Sequence, residues 1–550
     1  MILAYEFEYV SNNNFLENFL QNFAKKNKIE YYIAKDKYKI FLHVRSDEDT
    51  LITFSDKLSN SLPFSIFLKS TSVNAANKWD NNKAIVVQEC EIYIPFIKET
   101  LDAAKDEFNP FMKNEIGRNH DIYPPLFFTY NDKSIEYKNS FKAAFMMVAD
   151  IIANGEKINF KTLNGIFCIS KIKKDAIYKD DVLIMPSDLS FVDKIAVIED
   201  EEAAALASLE KPIVKAHTNL VFSSQYPNFP RFIKLKLASD LFLYFLSLAL
   251  FEKGVEFVVL DAKDDTANAS LYFEQEIKSI EQFEVCPLKS GQNIITKGTS
   301  FTTPKLLKNI KVLKKHYHMQ FAAIIQELGF FEKVNCGIYL NLNNDDKIML
   351  YSDKDGVLDF VQVDFEDYLS QILENIEKDD DNGRKLIEKY RQNFPQLYEN
   401  AKNISLKGKN ISILWAIAAY LLGFGDDLCQ AQRRLFENIE IFSGQKGPRV
   451  DYKLIDENSA KTSIDAHKFL KSVISFKLAG TDDEILSFGI AESLVYFLSD
   501  FADKMKDEFE VENILLMGSL FGSKTISNLC VKHLSVNHKV YFNKELPIEL

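Results

Sequence analysis

Glycine is scarce in this sequence. The chain has 19 glycines in 550 residues, about half of the usual share of ~7%, and no two of them are adjacent. Glycine-rich loops allow a backbone to approach a bound phosphate closely. The sequence therefore has little material for loops that cradle nucleotides, and it contains neither a GxGxxG motif nor a P-loop.

Paired cysteines and targeting segments are also lacking. The six cysteines are scattered and form no CxxC pair, which argues against a cysteine-type zinc site and against a disulfide framework. The N-terminus has no basic segment followed by an apolar core, so no signal peptide is expected. The most apolar run, Ile411 to Phe424, is too short to span a bilayer and predicts a buried core helix. We expect a cytoplasmic, reduced protein.

The charge balance limits the classes of partner. The chain has 66 basic and 79 acidic residues, a net charge of −13 and a pI near 5.3. This balance argues against broad binding to nucleic acid or to anionic membranes, and neither is expected as a partner. The apolar fraction of 47% is ordinary for soluble globular protein. The length predicts about three or four domains.

The first 75 residues predict a β-α-β-β-α-β module, the ferredoxin-like arrangement. Strands are expected at Leu3–Val10, Ile29–Ala34 and Tyr38–Val44, with Asn14 as a candidate N-cap of the first helix. A second helix is expected near Asp49–Ser59.

The C-terminal part predicts helices and a βαβ unit. The buried strand NILLM at Asn513–Met517, a helix near Lys524–His533 and the strand Lys539–Phe542 follow one another, so the two strands are expected to be parallel. A single helix is predicted over Val312–Leu328, and Glu377–Gly383 is predicted to be a charged surface loop.

The turn after NILLM is the first candidate site. Gly518, Ser519 and Gly522 follow the strand and precede a helix, where a phosphate can bind the helix N-terminus. They are therefore candidates for nucleotide binding, although a lone Gly-x-x-x-Gly pattern also occurs in ordinary turns.

Histidines and aspartates form two further candidate sites. His316 and His318 are candidate metal ligands, but residues two apart face different sides of a helix, so surface histidines are the alternative. Asp261, Asp264 and Asp265 follow the apolar strand VEFVVL. Carboxylates at that end of a strand can hold a metal or a substrate, and a solvated loop is the alternative interpretation.

Four segments occur in the order found in the HypF family of carbamoyltransferases, which help to build the cyanide ligands of nickel–iron hydrogenase. They are VLIMPSDLSFVDKIAVIEDEEAAALASLEKPIVKA (182–216), LWAIAAYLLGFGDDLCQAQRRLFENIE (414–440), NILLMGSLFGS (513–523) and KVYFNKELP (539–547). The first is similar to the YrdC-region run that ends in S-x-x-x-P-I-V. The second resembles a Kae-domain helix pair, and the last two resemble a strand, a turn and the segment after them.

The resemblance implies an α/β and α+β multidomain fold. It has a ferredoxin-like N-terminal module, a YrdC-like α/β domain and a C-terminal domain of the actin/hexokinase superfamily. The implied domains are an acylphosphatase-like module (1–75), a remnant of the zinc-finger linker region without cysteine pairs (76–135), a YrdC-like domain (136–305) and a shortened Kae-type carbamoyltransferase-like domain (306–550).

Several positions depart from what the family needs. Leu16 stands near the position at which the family has an arginine that binds phosphoryl oxygens. A leucine offers neither the charge nor the bidentate fork of a guanidinium. Asp180 and Asp181 replace a basic cluster that would hold ATP phosphates. These aspartates have the wrong sign of charge for that task.

The Kae-type region departs in the same way. Of the family's H-x-x-x-H metal motif, His316 matches the first ligand and Gln320 replaces the second. The Asp-Gly-Thr-Gly phosphate loop becomes Asn341-Leu342-Asn343-Asn344, and Ser519 replaces one glycine of the later Gly-Gly turn. The last family ligand, an aspartate in a glycine-rich tail, has no counterpart before Leu550.

We therefore expect a divergent, catalytically degenerate HypF relative that acts by binding, with a HypE-like or other maturation protein as partner. No cofactor is expected, and ATP and a divalent metal are implied only if the family activity is retained. Two alternatives stay open. One is an active ATP-dependent carbamoyltransferase with a rebuilt site, and the other is an unrelated cytoplasmic α/β binding protein.

Overall fold

The computed structural model describes residues 1–11, 13–87, 126–135, 141–273, 281–313, 318–456 and 461–550. These residues form two compact units. The first comprises Met1–Pro287 with Lys297–Pro304, and the second comprises Leu288–Thr296 with Lys305–Leu550. Most of the predicted zinc-finger remnant, 76–135, lies outside the described residues. The boundaries of the four predicted domains stay predictions.

The first unit begins with the predicted β-α-β-β-α-β module, which is confirmed. Its elements are β1 Ile2–Tyr9, α1 Phe15–Lys26, β2 Glu30–Asp36, β3 Lys39–Arg45, α2 Glu48–Ser61 and β4 Leu68–Ala75. The strand order is β2-β3-β1-β4, and β1 pairs antiparallel with both β3 and β4. Alternate residues of β1, Tyr5, Phe7 and Tyr9, are buried against the helices.

The start of α1 differs in detail from its predicted cap. Asn14 occupies the N-cap position without a capping bond from its side chain. The neighbouring Asn13 takes over part of that task, because its Oδ1 accepts a hydrogen bond from Phe15 N at 3.1 Å. By contrast, Asp47 caps α2 through Thr50 N at 2.9 Å.

The rest of the first unit is built around a long mixed sheet. Its elements are β5 Leu126–Tyr130, β6 Lys133–Ser134, α3 Phe141–Ala153, β7 Ile158–Thr162, β8 Gly165–Lys171, β9 Leu183–Pro186, α4 Val192–Ile195, β10 Ala196–Val197, α5 Asp200–Ala207, β11 Ile213–Thr218, α6 Leu220–Gln225, β12 Phe232–Leu235, α7 Leu241–Glu252, β13 Phe257–Ala262, β14 Ala269–Phe273 and β15 Glu284–Pro287. Along the sheet the order is β15-β11-β12-β9-β13-β8-β7-β14-β5-β6, with β10 on β11. Helices α3 and α7 pack together through Phe145, whose ring lies 5.5 Å from that of Phe245.

The second unit has a six-stranded sheet of order β20-β19-β18-β17-β21-β22. Its elements, preceded by β16 Asn293–Lys297, are α8 Pro304–Leu313, α9 Met319–Leu328, β17 Asn335–Tyr339, β18 Lys347–Ser352, β19 Gly356–Val363, α10 Leu369–Asp379, α11 Asp381–Asn393, α12 Pro395–Ala401, α13 Ile411–Leu422, α14 Leu428–Ile441, β20 Thr462–Ile464, α15 Ala466–Leu478, α16 Asp483–Phe509, β21 Asn513–Met517, α17 Lys524–Leu534 and β22 Lys539–Tyr541. Strand β21 pairs in parallel with β22, which confirms the predicted βαβ unit.

Two predictions for the second unit are wrong. The single helix over Val312–Leu328 is interrupted, since α8 ends at Leu313 and α9 begins at Met319. His318 has the non-helical backbone of an N-cap, with φ −111° and ψ 33°. The predicted loop at Glu377–Gly383 is the junction of α10 and α11, because Asp380 accepts a hydrogen bond from Gly383 N at 2.5 Å and starts a new helix.

Two apolar helices lie inside the second unit. Helix α13 is buried along almost its whole length, as predicted. Helix α16 is long and apolar enough to cross a membrane by length and composition alone, and 72% of its most apolar window is buried inside the protein. Such burial is typical of a core helix of a soluble protein. The cytoplasmic location stays a prediction.

Candidate functional site

The turn after β21 brings the predicted glycines into different surroundings. Gly518 has φ +99°, and a Cβ atom there would lie 2.1 Å from Leu340 O. Gly522 has no such requirement, because its nearest neighbour would be 3.6 Å from an added Cβ. Close approach of two backbones therefore accounts for Gly518 without any ligand.

The Asn341–Asn344 turn faces this site with its backbone N–H groups already bound. Asn341 N donates to Asp346 Oδ1 at 2.6 Å, and Leu342 N donates to Ser519 Oγ at 3.0 Å. Asn343 N and Asn344 N both donate to Asn341 Oδ1, at 2.8 and 3.0 Å. A phosphate-binding turn needs N–H groups that point at the ligand. Here side chains of the same chain accept these bonds.

Asp346 fixes this turn to the helix α13. It is buried, and its second carboxylate oxygen accepts a hydrogen bond from Ile411 N at 2.6 Å. Burial raises the pKa of Asp346 well above its ordinary value. Asn410 adds a further link, since its Nδ2 donates to Asn344 O at 3.0 Å and its Oδ1 caps α13 at Ile413 N. The arrangement makes the turn part of the core scaffold.

The N-terminus of α17, where a phosphate is predicted, holds a carboxylate of the chain itself. Glu440, near the end of α14, accepts a hydrogen bond on Oε2 from Thr525 Oγ1 at 2.7 Å and from Thr525 N at 3.3 Å. Its Oε1 accepts from the hydroxyl of Ser523, the N-cap residue. A negative group at this end of a helix is stabilised by the helix dipole. Glu440 thus occupies the anion position.

Of the candidate metal ligands, His316 lies outside the described residues, and His318 lies beside an ion pair. Its Nδ1 is 3.5 Å from Asp359 Oδ1, and Lys347 Nζ is 3.8 Å from Asp359 Oδ2. Burial lowers the pKa of His318. Within the described parts of the chain, no three His, Cys, Asp or Glu side chains are grouped as for a metal ion.

Gln320, which stands where the family has its second histidine, binds backbone groups near the end of the sequence. Its Nε2 donates to Ile548 O at 2.9 Å, and its Oε1 accepts from Leu550 N at 3.1 Å. Glu327 binds the same segment, since its Oε1 accepts hydrogen bonds from Glu545 N and Leu546 N. The described residues here therefore do not fit a metal ion, and they hold a protein segment instead.

Two aspartates of the acidic patch in the first unit are held in ion pairs with lysines. Asp261 lies in β13, whereas Asp264 pairs with Lys157 at 2.9 Å and Asp265 with Lys263 at 2.6 Å. Hydrogen bonds from Thr266 and Lys157 hold the pKa of Asp264 well below its ordinary value. This geometry fits the solvated-loop interpretation.

In the N-terminal module, a leucine stands near the position that the resemblance assigns to an arginine. Leu16 is fully buried in the module. Nearby, Tyr9 is also fully buried, and its hydroxyl donates to Glu210 Oε1 at 3.0 Å. Glu210 also accepts from Ser65 Oγ at 2.5 Å and from Ile66 N at 3.2 Å. These bonds join the module to α5 and β11 within the same unit.

A cleft in the first unit was not predicted. Two buried lysines, Lys211 and Lys236, line it together with Ser239, Asn164 and an aromatic wall. Desolvation lowers the pKa of both lysines to about 8. The signal in the sequence is a lysine between two leucines, Leu235 and Leu237, directly after an apolar strand. An isolated lysine matches no motif, so local sequence patterns do not single it out.

Comparisons with known proteins agree on the fold. No protein-family model matches the chain. Protein HydE of Wolinella succinogenes is 25% identical over 552 residues, which cover 97% of each sequence. Two crystal structures of HypF, one of the full-length protein with phosphate and nucleotide bound and one from T. kodakarensis, align over 100% of this chain and 96% of theirs. Each has a TM-score of 0.62, with 13% and 12% sequence identity respectively.

The chain therefore has the HypF fold from end to end, and the predicted resemblance and multidomain fold class are confirmed. The likeness in fold over the full length of both chains disfavours the alternative of an unrelated α/β protein. The assignment of the second unit to the Kae type in particular stays a prediction, as do the proposed nucleotide, metal and acidic site residues.

Proposed function

We propose that this chain is a HypF-like protein linked to hydrogenase maturation that acts by binding and does not transfer carbamoyl groups. The observation that supports this most directly is Glu440 at the N-terminus of α17. The fold is that of a carbamoyltransferase, but the helix end suited to a phosphate is filled by a carboxylate.

The electrostatics of that helix end support the proposal. A nucleotide phosphate would have to lie beside Glu440, and two negative groups at contact distance repel each other. Displacement of the Glu440 side chain by a phosphate would break its hydrogen bonds to Thr525 and Ser523. The N–H groups of the Asn341–Asn344 turn offer no compensation, since each already has an acceptor.

A binding role requires a partner, and we propose a HypE-like or other maturation protein in the cytoplasm. The proposal assigns to this chain the scaffold of the carbamoyltransferase without its phosphate chemistry. ATP and a divalent metal are not part of it.

Calorimetry tests the proposal directly. The full chain is titrated with ATP, with and without Mg²⁺ and carbamoyl phosphate, beside a HypF that binds nucleotide as the positive control. We expect no heat of binding up to millimolar ATP and no pyrophosphate released from ATP. Micromolar ATP binding by the wild-type chain contradicts the proposal, as does carbamoyl-phosphate-dependent release of pyrophosphate.

The alternative function is an active ATP-dependent carbamoyltransferase with a rebuilt site. One observation favours it, namely that Lys211 and Lys236 are buried beside an open cleft and could serve as new cationic groups. It predicts that pyrophosphate release is measurable and that Lys236→Met abolishes it while Lys215→Met, at an exposed position, does not.

A further inference from the structure

Lys236 is a buried cation with too few partners. The residue is 3% exposed, and among the described residues its ammonium group makes one hydrogen bond, to Lys211 O at 3.4 Å. An ammonium group has three N–H donors. Burial of a charge costs free energy unless the charge is paired and hydrogen-bonded. This chain therefore leaves donors of Lys236 for something else.

The nearest carboxylate does not supply the missing acceptor. Asp240 lies close enough to act electrostatically on Lys236, but its two oxygens are used elsewhere. Oδ1 accepts from Leu243 N at 2.9 Å, and Oδ2 accepts from Leu163 N at 3.0 Å. Within the described part of the chain, Lys236 forms no ion pair.

Lys211 adds a second buried cation beside the first. Its Nζ donates to Ala207 O at 2.6 Å and to Ser208 O at 2.8 Å, at the C-terminal end of α5. Its backbone has φ +48°, a left-handed conformation that is uncommon for a residue with a side chain. Such residues are often found where a loop holds a ligand. The Lys211 carbonyl in this strained loop is the acceptor for Lys236.

The opposite wall of the cleft is aromatic. The ring of Phe301 lies 4.5 Å from that of Phe283 and 5.9 Å from that of Phe15, edge to face in both pairs. An apolar wall excludes water and strengthens the attraction between a buried cation and an anion. Ser239 and Asn164, joined at 2.8 Å, add neutral polar atoms to the lining.

Two glutamates limit the charge that the cleft accepts. Glu210 is buried and bound by three donors, and burial raises its pKa. Glu281 is exposed, and its Oε2 accepts from Thr299 N at 3.1 Å. Two cations facing two acidic groups favour a ligand of low charge over a polyphosphate.

We propose that this cleft binds a small oxyanion of about one negative charge, of the carboxylate or phosphate type, with Lys236 as the residue that binds its oxygens. All of the residues involved belong to the first unit. The proposal is therefore independent of the function proposed above, which rests on Glu440 in the second unit.

The test measures thermal unfolding of the full chain in acetate, bicarbonate or inorganic phosphate, at constant ionic strength with chloride as the balance. We expect a saturable rise of Tm with at least one of these anions. Lys236→Met should lower the affinity for that anion by about tenfold or more, the loss expected when a charge-assisted hydrogen bond is removed. The control is Lys215→Met, which removes the same charge from an exposed position of β11 and should bind as wild type.

The anions distinguish the sources of the ligand. A response to acetate or bicarbonate indicates a carboxylate-type ligand, and a response to phosphate alone indicates a phosphate-type ligand. Without any added anion, Lys236→Met should unfold at a higher temperature than wild type, because it removes an underpaired buried charge.

Several results would overturn the proposal. They are the absence of a saturable shift with all three anions, or an equal shift in wild type and Lys236→Met. If Lys236→Met does not fold, Lys236→Gln serves as the second variant, because its amide N–H can still donate to Lys211 O; it should also bind the anion about tenfold more weakly. An unchanged affinity in Lys236→Gln places the anion outside this cleft and also overturns the proposal.

Discussion

Glu440 and Thr525 are joined by two hydrogen bonds through a single carboxylate oxygen, which accepts from the hydroxyl at 2.7 Å and from the backbone N–H at 3.3 Å. The contact connects α14 to the start of α17, 85 residues further along the chain. It satisfies a backbone donor at the helix end and places a negative charge at the positive end of the dipole. A side chain of the protein thereby does what a bound anion does elsewhere.

Replacement of Glu440 should destabilise the second unit. We expect Glu440→Ala to lower the free energy of unfolding by about 1 to 2 kcal/mol, the usual loss when a capping group is removed. Urea unfolding followed by the fluorescence of Trp415, in a Trp79→Phe background, measures it. Glu388→Ala, at an exposed position of α11, is the control. If Glu440→Ala is as stable as Glu388→Ala, Glu440 does not stabilise the protein as a helix cap.

The two glycines of the turn should respond very differently to alanine. Gly518→Ala puts a methyl group 2.1 Å from Leu340 O on a backbone with positive φ, and we expect a loss of about 3 kcal/mol or more, or failure to fold. Gly522→Ala meets its nearest neighbour at 3.6 Å and should cost less than about 1 kcal/mol. Soluble yield and Tm measure both. Equal tolerance of both substitutions would refute the backbone explanation of Gly518.

The stability of the second unit should fall as the pH rises through the neutral range, because of Glu327. Its carboxylate is enclosed by the N–H groups of Glu545 and Leu546 and by Asn543 Nδ2, and desolvation raises its pKa from 4.5 to about 7. The folded state therefore binds the proton more tightly than the unfolded state. The stabilisation is complete below the unfolded pKa and is lost as the pH rises through 7. We expect the free energy of unfolding to fall by about 2 kcal/mol between pH 5 and pH 8.

Glu327→Gln should remove most of that pH dependence. Its amide oxygen can keep both backbone bonds, and Asn543 can rotate its amide to present Oδ1, which has no hydrogen-bond partner in the described structure. The measurement is urea unfolding at pH 5 and pH 8, with Glu388→Gln as the control that keeps the wild-type profile. If Glu327→Gln retains the wild-type difference between the two pH values, another group titrates.

The link between the N-terminal module and the rest of the first unit should depend on Tyr9. Tyr9→Phe removes the hydroxyl, whose single proton can be donated to Glu210 Oε1 at 3.0 Å or to Asn13 Oδ1 at 2.5 Å. It leaves a buried carboxylate with one donor fewer, and we expect a loss of about 1 to 3 kcal/mol. The matched control is Tyr31→Phe at a partly exposed position of β2. The measurement is urea unfolding followed by the fluorescence of Trp79, in a Trp415→Phe background. If Tyr9→Phe is as stable as Tyr31→Phe, the Tyr9 hydroxyl does not contribute to stability.

Local patterns in the sequence were enough to predict much of the fold. Periodicity placed β1, β2, β3 and α2 of the first module within two residues of their observed boundaries. The pattern failed at Val312–Leu328, where apolar residues continue at helical spacing across a break. Periodicity reports which face is buried, but it does not report where the backbone leaves the helix.

The site was predictable only in its location. A strand, a glycine and a helix in succession mark the turn at Gly518, and the turn is there. The acceptor that fills it, Glu440, comes from another helix, and no local rule connects the two. The same holds for Lys236, because its surroundings are set by Lys211 and Asp240 on neighbouring elements.

The closed Asn341–Asn344 turn has an evolutionary consequence. Its N–H groups are bound by Asp346, Ser519 and Asn341, while Glu440 independently fills the nearby helix end. A single substitution opens at most two of these contacts, those made by Asn341 Oδ1, and leaves the others closed to a phosphate. Each such step would lower stability before any ligand could bind. A gain of nucleotide binding by this turn would therefore be strongly epistatic, since several replacements would have to arise together to give selection any benefit.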